Sequence, residues 1–253
     1  MSIFKISINR IFTLALAVSI SANAYATSDA LPSAKALFTK HIEAVGGEEK
    51  LRENHARTVT GTFKIPAMGV NGTLVAVAAA PNKMSSVVDL GPMGKSFEGY
   101  NGTRGWSING MTGNQLLEGD ALKALQARAD FYADLHLAGD SVKQQTVEIA
   151  TIDGEENYRV LLVSAEGNES FLFFSKTTGL LTGKESMEKT PYGVLPTTVK
   201  ISDYSEFAGL KFAKKVVTSQ GGFDSILQID SVSFADIAEN AFDMPAEIQA
   251  LIK

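Results

Sequence analysis

The stretch ARTVTGTFKI, Ala56 to Ile65, decides the character of the chain. Val59, Gly61, Phe63 and Ile65 alternate with Thr58, Thr60, Thr62 and Lys64. A side-chain period of two predicts a β-strand with one face against a core. Pro66 ends it, and Met68-Gly69 and Asn71-Gly72 form a turn region. Immediately upstream the period differs. Ala34, Leu37, Phe38, Ile42 and Val45 recur at spacings of three and four, so one helical face is apolar. Ser33 supplies an N-cap, and Gly46-Gly47 a left-handed stop. One amphipathic helix therefore precedes the first strand.

Downstream, short strands are predicted at intervals of about ten residues, punctuated by Gly, Pro and Asn. They cover Thr73 to Ala79, Met84 to Leu90, Lys95 to Tyr100 and Arg104 to Ile108. A helix, Glu118 to Ala129, interrupts them, with Asp120 as its cap and Leu122, Leu125, Ala129 and Tyr132 on one face. Strands resume from Val142 and continue to Phe234, and the tail Ala238 to Lys253 ends in a short helix. The count is eleven or twelve strands and two main helices. So large a sheet coils or splits, and two amphipathic helices need an apolar surface to cover. The expected fold is mainly β, of the α+β kind: a strongly curved antiparallel half-barrel with helices on its concave face.

The N-terminus reads as a cleavable export signal. Lys5 and Arg10 precede a ten-residue apolar run, Ile11 to Ile20, and Ala24-Tyr25-Ala26 follows as a cleavage site. A membrane span needs about 20 residues. Residues 1–26 are thus read as signal peptide, and 27–253 as a single domain destined for the periplasm, without a transmembrane span. The chain has no cysteine, which removes a thioether lipid anchor, disulfides and thiolate chemistry. Its net charge of −5 becomes −7 once Lys5 and Arg10 are lost. Without a basic run, nucleic acid is an unsuitable partner.

No motif carries catalysis. The three histidines, His41, His55 and His136, have no metal-ligand spacing. There is no G-x-S-x-G nucleophile motif, and no G-x-G-x-x-G opens a helix after a strand. Neither cofactor nor metal is expected. A hydrolase built on an unrecognised carboxylate pair is the weakest reading. Two strands, Tyr158 to Val163 (YRVLLV) and Phe171 to Phe174 (FLFF), are apolar on both faces. Either they are central strands packed from both sides, or one face meets a ligand or partner. Trp106, the only tryptophan, is either a core anchor or part of a cavity mouth.

Several stretches carry a resemblance: Ile42 to Gly47, Val59 to Ile65 with Gly61, Pro81-Asn82-Lys83, Gly99-Tyr100-Asn101-Gly102, Gly105-Trp106, Phe173-Phe174 and Thr178 to Leu181. Together the chain resembles the LolA-like superfamily of bacterial outer-membrane lipoprotein-sorting proteins, over about Leu31 to Pro245. The resemblance implies a half-open barrel whose apolar cavity carries acyl chains of lipoproteins or other lipids. It also implies a strand arginine that influences ligand release, for which Arg57 and Arg104 are the candidates. On this reading the ligand cavity is lined by Val59, Phe63, Ile65, Met84, Val88, Phe97, Trp106, Phe171 and Phe173. The alternative is a non-catalytic envelope module that binds a protein partner through Arg159, Leu161 and Phe174 on the opposite sheet face.

Overall fold

The computed structural model describes residues 30–110, 112–190 and 193–252. The leader read in residues 1–26 lies outside them. Helix α1 (Ala34–Val45) begins as its sequence requires: Ser33 Oγ accepts the Ala36 N–H at 3.2 Å. It ends where Gly46 and Gly47, at φ 133° and 93°, turn the chain and donate to the carbonyls of Glu43 and Ile42. A short helix α2 (Glu48–Glu53) leads into the sheet.

The described residues form one antiparallel sheet of thirteen strands. The first run is β1 (Ala56–Ile65), β2 (Val70–Ala79), β3 (Lys83–Asp89), β4 (Lys95–Tyr100), β5 (Gly105–Asn109) and β6 (Gly113–Leu117). Helix α3 (Gly119–Ala129) follows. The second run is β7 (Lys143–Ile152), β8 (Glu155–Val163), β9 (Glu169–Ser175), β10 (Leu181–Thr190), β11 (Gly193–Phe207), β12 (Leu210–Gln220) and β13 (Phe223–Ser233). A last short helix is α4 (Ala246–Gln249). In space the order is β6-β5-β4-β3-β2-β1-β13-β12-β11-β10-β9-β8-β7. The two meanders join where β1 pairs with β13. The edges β6 and β7 stay apart, and the segment connecting them carries α3 across the opening.

The sheet is strongly curved, and α3 shows why. Leu122 and Leu125 rest on Gly105 of β5, and Arg128 reaches Glu98 of β4 at 2.6 Å. On its other side, Asp120 meets Lys189 of β10 at 3.0 Å. β5 and β10 are eight strand positions apart. On a flat sheet at ~4.8 Å per strand they would lie roughly 38 Å from each other, beyond the reach of one helix's width. The sheet must curl around α3, so the face bearing α1 and α3 is concave. This is the expected half-barrel.

Two details depart from the expectation. The extra strand is β6: its sequence GNQLL has no alternation to betray it, and it forms by pairing with β5. The tail helix α4 lies on the convex face, where Ile248 and Met244 pack with Trp106, Ile108 and Leu116.

Concave-side burial falls into separate clusters. Under α1, Leu37 and Phe38 pack on Val160, Leu162, Leu172 and Phe174. At the helix's end, Val45 joins Leu51, Leu180 and Leu210. Under α3, Leu125 and Ala129 pack on Tyr100 with Met84.

Candidate ligand-binding site

Between the areas covered by α1 and α3 lies the concave face of β1–β3 and β11–β13. Register identifies its side chains. Phe63 stands opposite Leu227, and Leu227 opposite Val216. Gly61 stands opposite Leu74, and Leu74 opposite Val88. Directly opposed residues share a face, so these six positions form one wall. Its apolar side chains are all only half-buried, and none belongs to a buried cluster of the core. The wall is an apolar trough without a helix of its own. It runs from Arg57 to Ile65, roughly 27 Å at ~3.4 Å per residue. Beneath α3 lies a cavity of about 650 Å³, lined by Ala124, Ala127, Thr197, Val199 and Gln220 among others.

Of the nine residues expected to line a cavity, the structure brings five to the concave face. Val59, Phe63 and Ile65 share it along β1, and Val88 lies across from Leu74. Met84 is there too, packed under α3.

The other four point to the convex face. Phe97 is opposite Val87 and Ile108 and is 36 % exposed. Tyr100, three residues on, faces α3, and strand alternation forces Phe97 outward. Trp106 lies across from Gly99, against which its ring is pressed so closely that a Cβ there would collide. The tail buries it to 2 % exposure. Phe171 and Phe173 are paired with Leu161 and Arg159 on the convex side. The Arg159 guanidinium lies 3.7 Å from the Phe171 ring centroid and pairs with Glu148 and Glu185.

Phe174, placed by the partner-binding alternative on the outer face, sits instead under α1. Its ring meets Phe38 and His41, with centroids 5.8 Å away in each case. Trp106 therefore reports on the tail and not on the trough. Its emission is expected to stay constant while a ligand saturates the trough, which a fluorescence titration checks.

At the α1 end, a polar cluster closes the trough. His41 is 1 % exposed. Its Nδ1 accepts the Leu181 N–H at 3.1 Å, so its Nε2–H is the donor to Asp134 Oδ1 at 3.2 Å. Asp134 lies in the crossing segment after α3, so this bond ties that segment to α1. Tyr204 donates to the Leu181 carbonyl at 2.8 Å. Burial first, and the nearby Asp134 charge second, push the Tyr204 hydroxyl's pKa up. A raised folded-state value favours the neutral phenol. Its stabilising contribution is complete below the unfolded tyrosine's pKa of about 10 and declines as pH rises above it. Urea unfolding at pH 8 to 11 is expected to show wild type losing its advantage over Tyr204→Phe at the alkaline end.

Arg57 also belongs here. It projects from the concave face of β1, its guanidinium 5.1 Å from the Phe131 ring centroid and 5.6 Å from that of Phe212. Desolvation lowers its pKa, and Asp134 opposes this. Arg104, the other strand-arginine candidate, is an exposed residue of the turn after β4, its N–H bonded to Asn101 Oδ1. The sequence offered no way to choose between the two, because only pairing shows which one reaches the interior.

The remaining histidines serve locally. His136 pairs with Asp130 at 2.7 Å, and His55 with the Tyr132 hydroxyl at 3.0 Å. Among the described residues, no group of three His, Asp or Glu is placed to hold a metal ion, and no helix is long and apolar enough to cross a membrane.

No protein-family profile and no curated protein sequence matches the chain. Solved structures do. A LolA superfamily protein from Nitrosomonas europaea is similar over 85% of this chain and 99% of its own, with a TM-score of 0.57 at 13% identity. A DUF1329 family protein from Desulfovibrio piger is similar over 83% and 97%, with a TM-score of 0.56 at 9% identity. At such identities the likeness is one of fold: the half-barrel is LolA-like.

Proposed function

We propose that this LolA-like half-barrel is an exported, non-enzymatic carrier or binding protein for a hydrophobic acyl-chain ligand, a lipid or an acylated protein. The observation that carries the reading is the trough of β1–β3 and β11–β13. Its wall of Phe63, Leu74, Val88, Val216 and Leu227 is apolar and incompletely covered in a chain that has two helices available to cover it. An acyl chain gains about 0.8 kcal/mol per methylene removed from water, and a concave apolar wall recovers much of that for any chain long enough to lie along β1. Occupied, the trough would complete the core that α1 and α3 leave open.

The leader read in residues 1–26 fits this role, since a diffusible periplasmic carrier needs export and release. The polar cluster supports a binding rather than a chemical role. Both His41 nitrogens are engaged, one by the Leu181 N–H and the other by Asp134. Neither is left to activate a nucleophile.

The test is displacement of the neutral, apolar fluorophore 1-N-phenylnaphthylamine from the purified domain by single-chain amphiphiles. Saturable fluorophore binding, displaced by twelve-carbon chains and not by four-carbon ones, is expected. A fluorophore that never binds, or displacement independent of chain length, overturns the reading.

A further inference from the structure

The acyl-chain reading leaves open what the trough does with a ligand's polar end, and Arg57 addresses that end. Resting on that reading, we propose that Arg57 is the receptor for an anionic head group, so that the ligand is a single-chain amphiphile carrying a carboxylate or phosphate rather than a neutral lipid.

The geometry is specific. A guanidinium has five N–H donors in one plane and no acceptor. The guanidinium lies over the rings of Phe131 and Phe212, 5.1 and 5.6 Å from their centroids, a cation–π arrangement that uses none of its N–H donors in a hydrogen bond. Among the described residues, those donors make no hydrogen bond and no ion-pair contact. Asp134 attracts Arg57 through space, but its Oδ1 bonds to His41 instead. Arg57 is half-buried and its donors are not sealed from solvent, so an anionic group arriving along the trough can replace the water on them.

What lies beside it is the trough. Arg57, Val59, Phe63 and Ile65 stand on one face of the same strand. An anion on Arg57 would lay its apolar tail along that face. A second cation faces the same way: Lys214 lies between Phe212 and Val216 on β12, and strand alternation turns it to the concave side. It too has no ion pair with any described residue. In a chain of net charge −5, two cations that form no ion pair among the described residues stand beside an apolar wall and favour a negative group there. Arg57 suits carboxylate and phosphate alike, since its planar fork matches both bidentately.

The experiment compares dodecanoate, dodecyl phosphate and dodecanol as displacers of 1-N-phenylnaphthylamine from wild type, Arg57→Met and Arg57→Lys. Wild type is expected to bind at least one of the two anions tenfold or more tighter than dodecanol, and the stronger anion names the head group. In Arg57→Met that preference should vanish, anions and alcohol then displacing the fluorophore alike. Arg57→Lys should retain part of it, as a point charge without the fork.

Equal affinity of wild type for anions and alcohol overturns this assignment and leaves the acyl reading standing. So does a preference that survives in Arg57→Met. Absence of binding by all three chains overturns both. The wild-type comparison is decisive even if a variant fails to fold.

Discussion

Replacing Phe174 by Ala is expected to cost about 3–5 kcal/mol of stability, the range for truncating a fully buried aromatic side chain. Phe174 is 0 % exposed. It is packed by Phe38 and His41 of α1 on one side and belongs to the cluster that includes Val160, Leu162 and Leu172 on the other. The substitution removes the contact that seats α1 on the sheet, and little can collapse into the space. For a domain of this size the melting temperature should fall by about 10 °C. Phe171→Ala, three residues away on the convex face, should cost no more than about 1–2 kcal/mol, because that ring is only half-buried beneath Arg159. Chemical denaturation of the two variants side by side checks the assignment of faces in β9. Equal losses would contradict it.

Phe63→Asp is the corresponding change in the trough. Phe63 lines the concave wall opposite Leu227 and is half-buried. A carboxylate there would have to be desolvated by any acyl chain that fills the trough, at a cost of several kcal/mol. Affinity for a twelve-carbon amphiphile is expected to fall 100-fold or more, while the domain loses only about 1 kcal/mol. Phe97→Asp is the control. It makes the same exchange on the convex face, at a side chain 36 % exposed, and should leave binding within about twofold. Fluorophore displacement combined with a thermal melt separates the two effects. Two variants that bind alike would mean that the ligand does not occupy the concave face.

How much of this was legible in the sequence depended on one property of each strand. In β1, threonines and a lysine alternate with Val59, Phe63 and Ile65, so only one face can be apolar and the interior set follows directly. In β3, Met84 and Val88 likewise fall on one face, the concave one. In β4 the large apolar residues Phe97 and Tyr100 are three apart. They cannot share a face, and nothing local says which turns inward; the packing of α3 on Tyr100 decides it. In β9, FLFF offers apolar side chains to both faces. The choice rests on pairing of Phe174 with Leu181, next to a bulge that no turn signal announces.

Trp106 was the most misleading residue. Its burial comes from the tail, and a short helix with Ile248 at its centre gives no sign of which face it will cover. The notch that receives the ring was present in the sequence as Gly99, seven residues earlier, but a glycine within a strand reads equally as a bulge or a close approach. The polar cluster at the trough's end was not legible at all. His41, Arg57, Asp134 and Tyr204 come from α1, β1, the crossing segment and β11, and only the curled sheet brings them together.

Native mass spectrometry of the protein, purified without detergent from the envelope of the cells that make it, shows whether the concave trough holds an acyl chain. A bound species that releases on activation and is identified, after extraction, as a single-chain amphiphile is expected; the Phe63→Asp protein prepared in the same way should be empty. A wild-type protein that is repeatedly empty, or a ligand that stays bound in Phe63→Asp, would contradict acyl-chain binding in the trough.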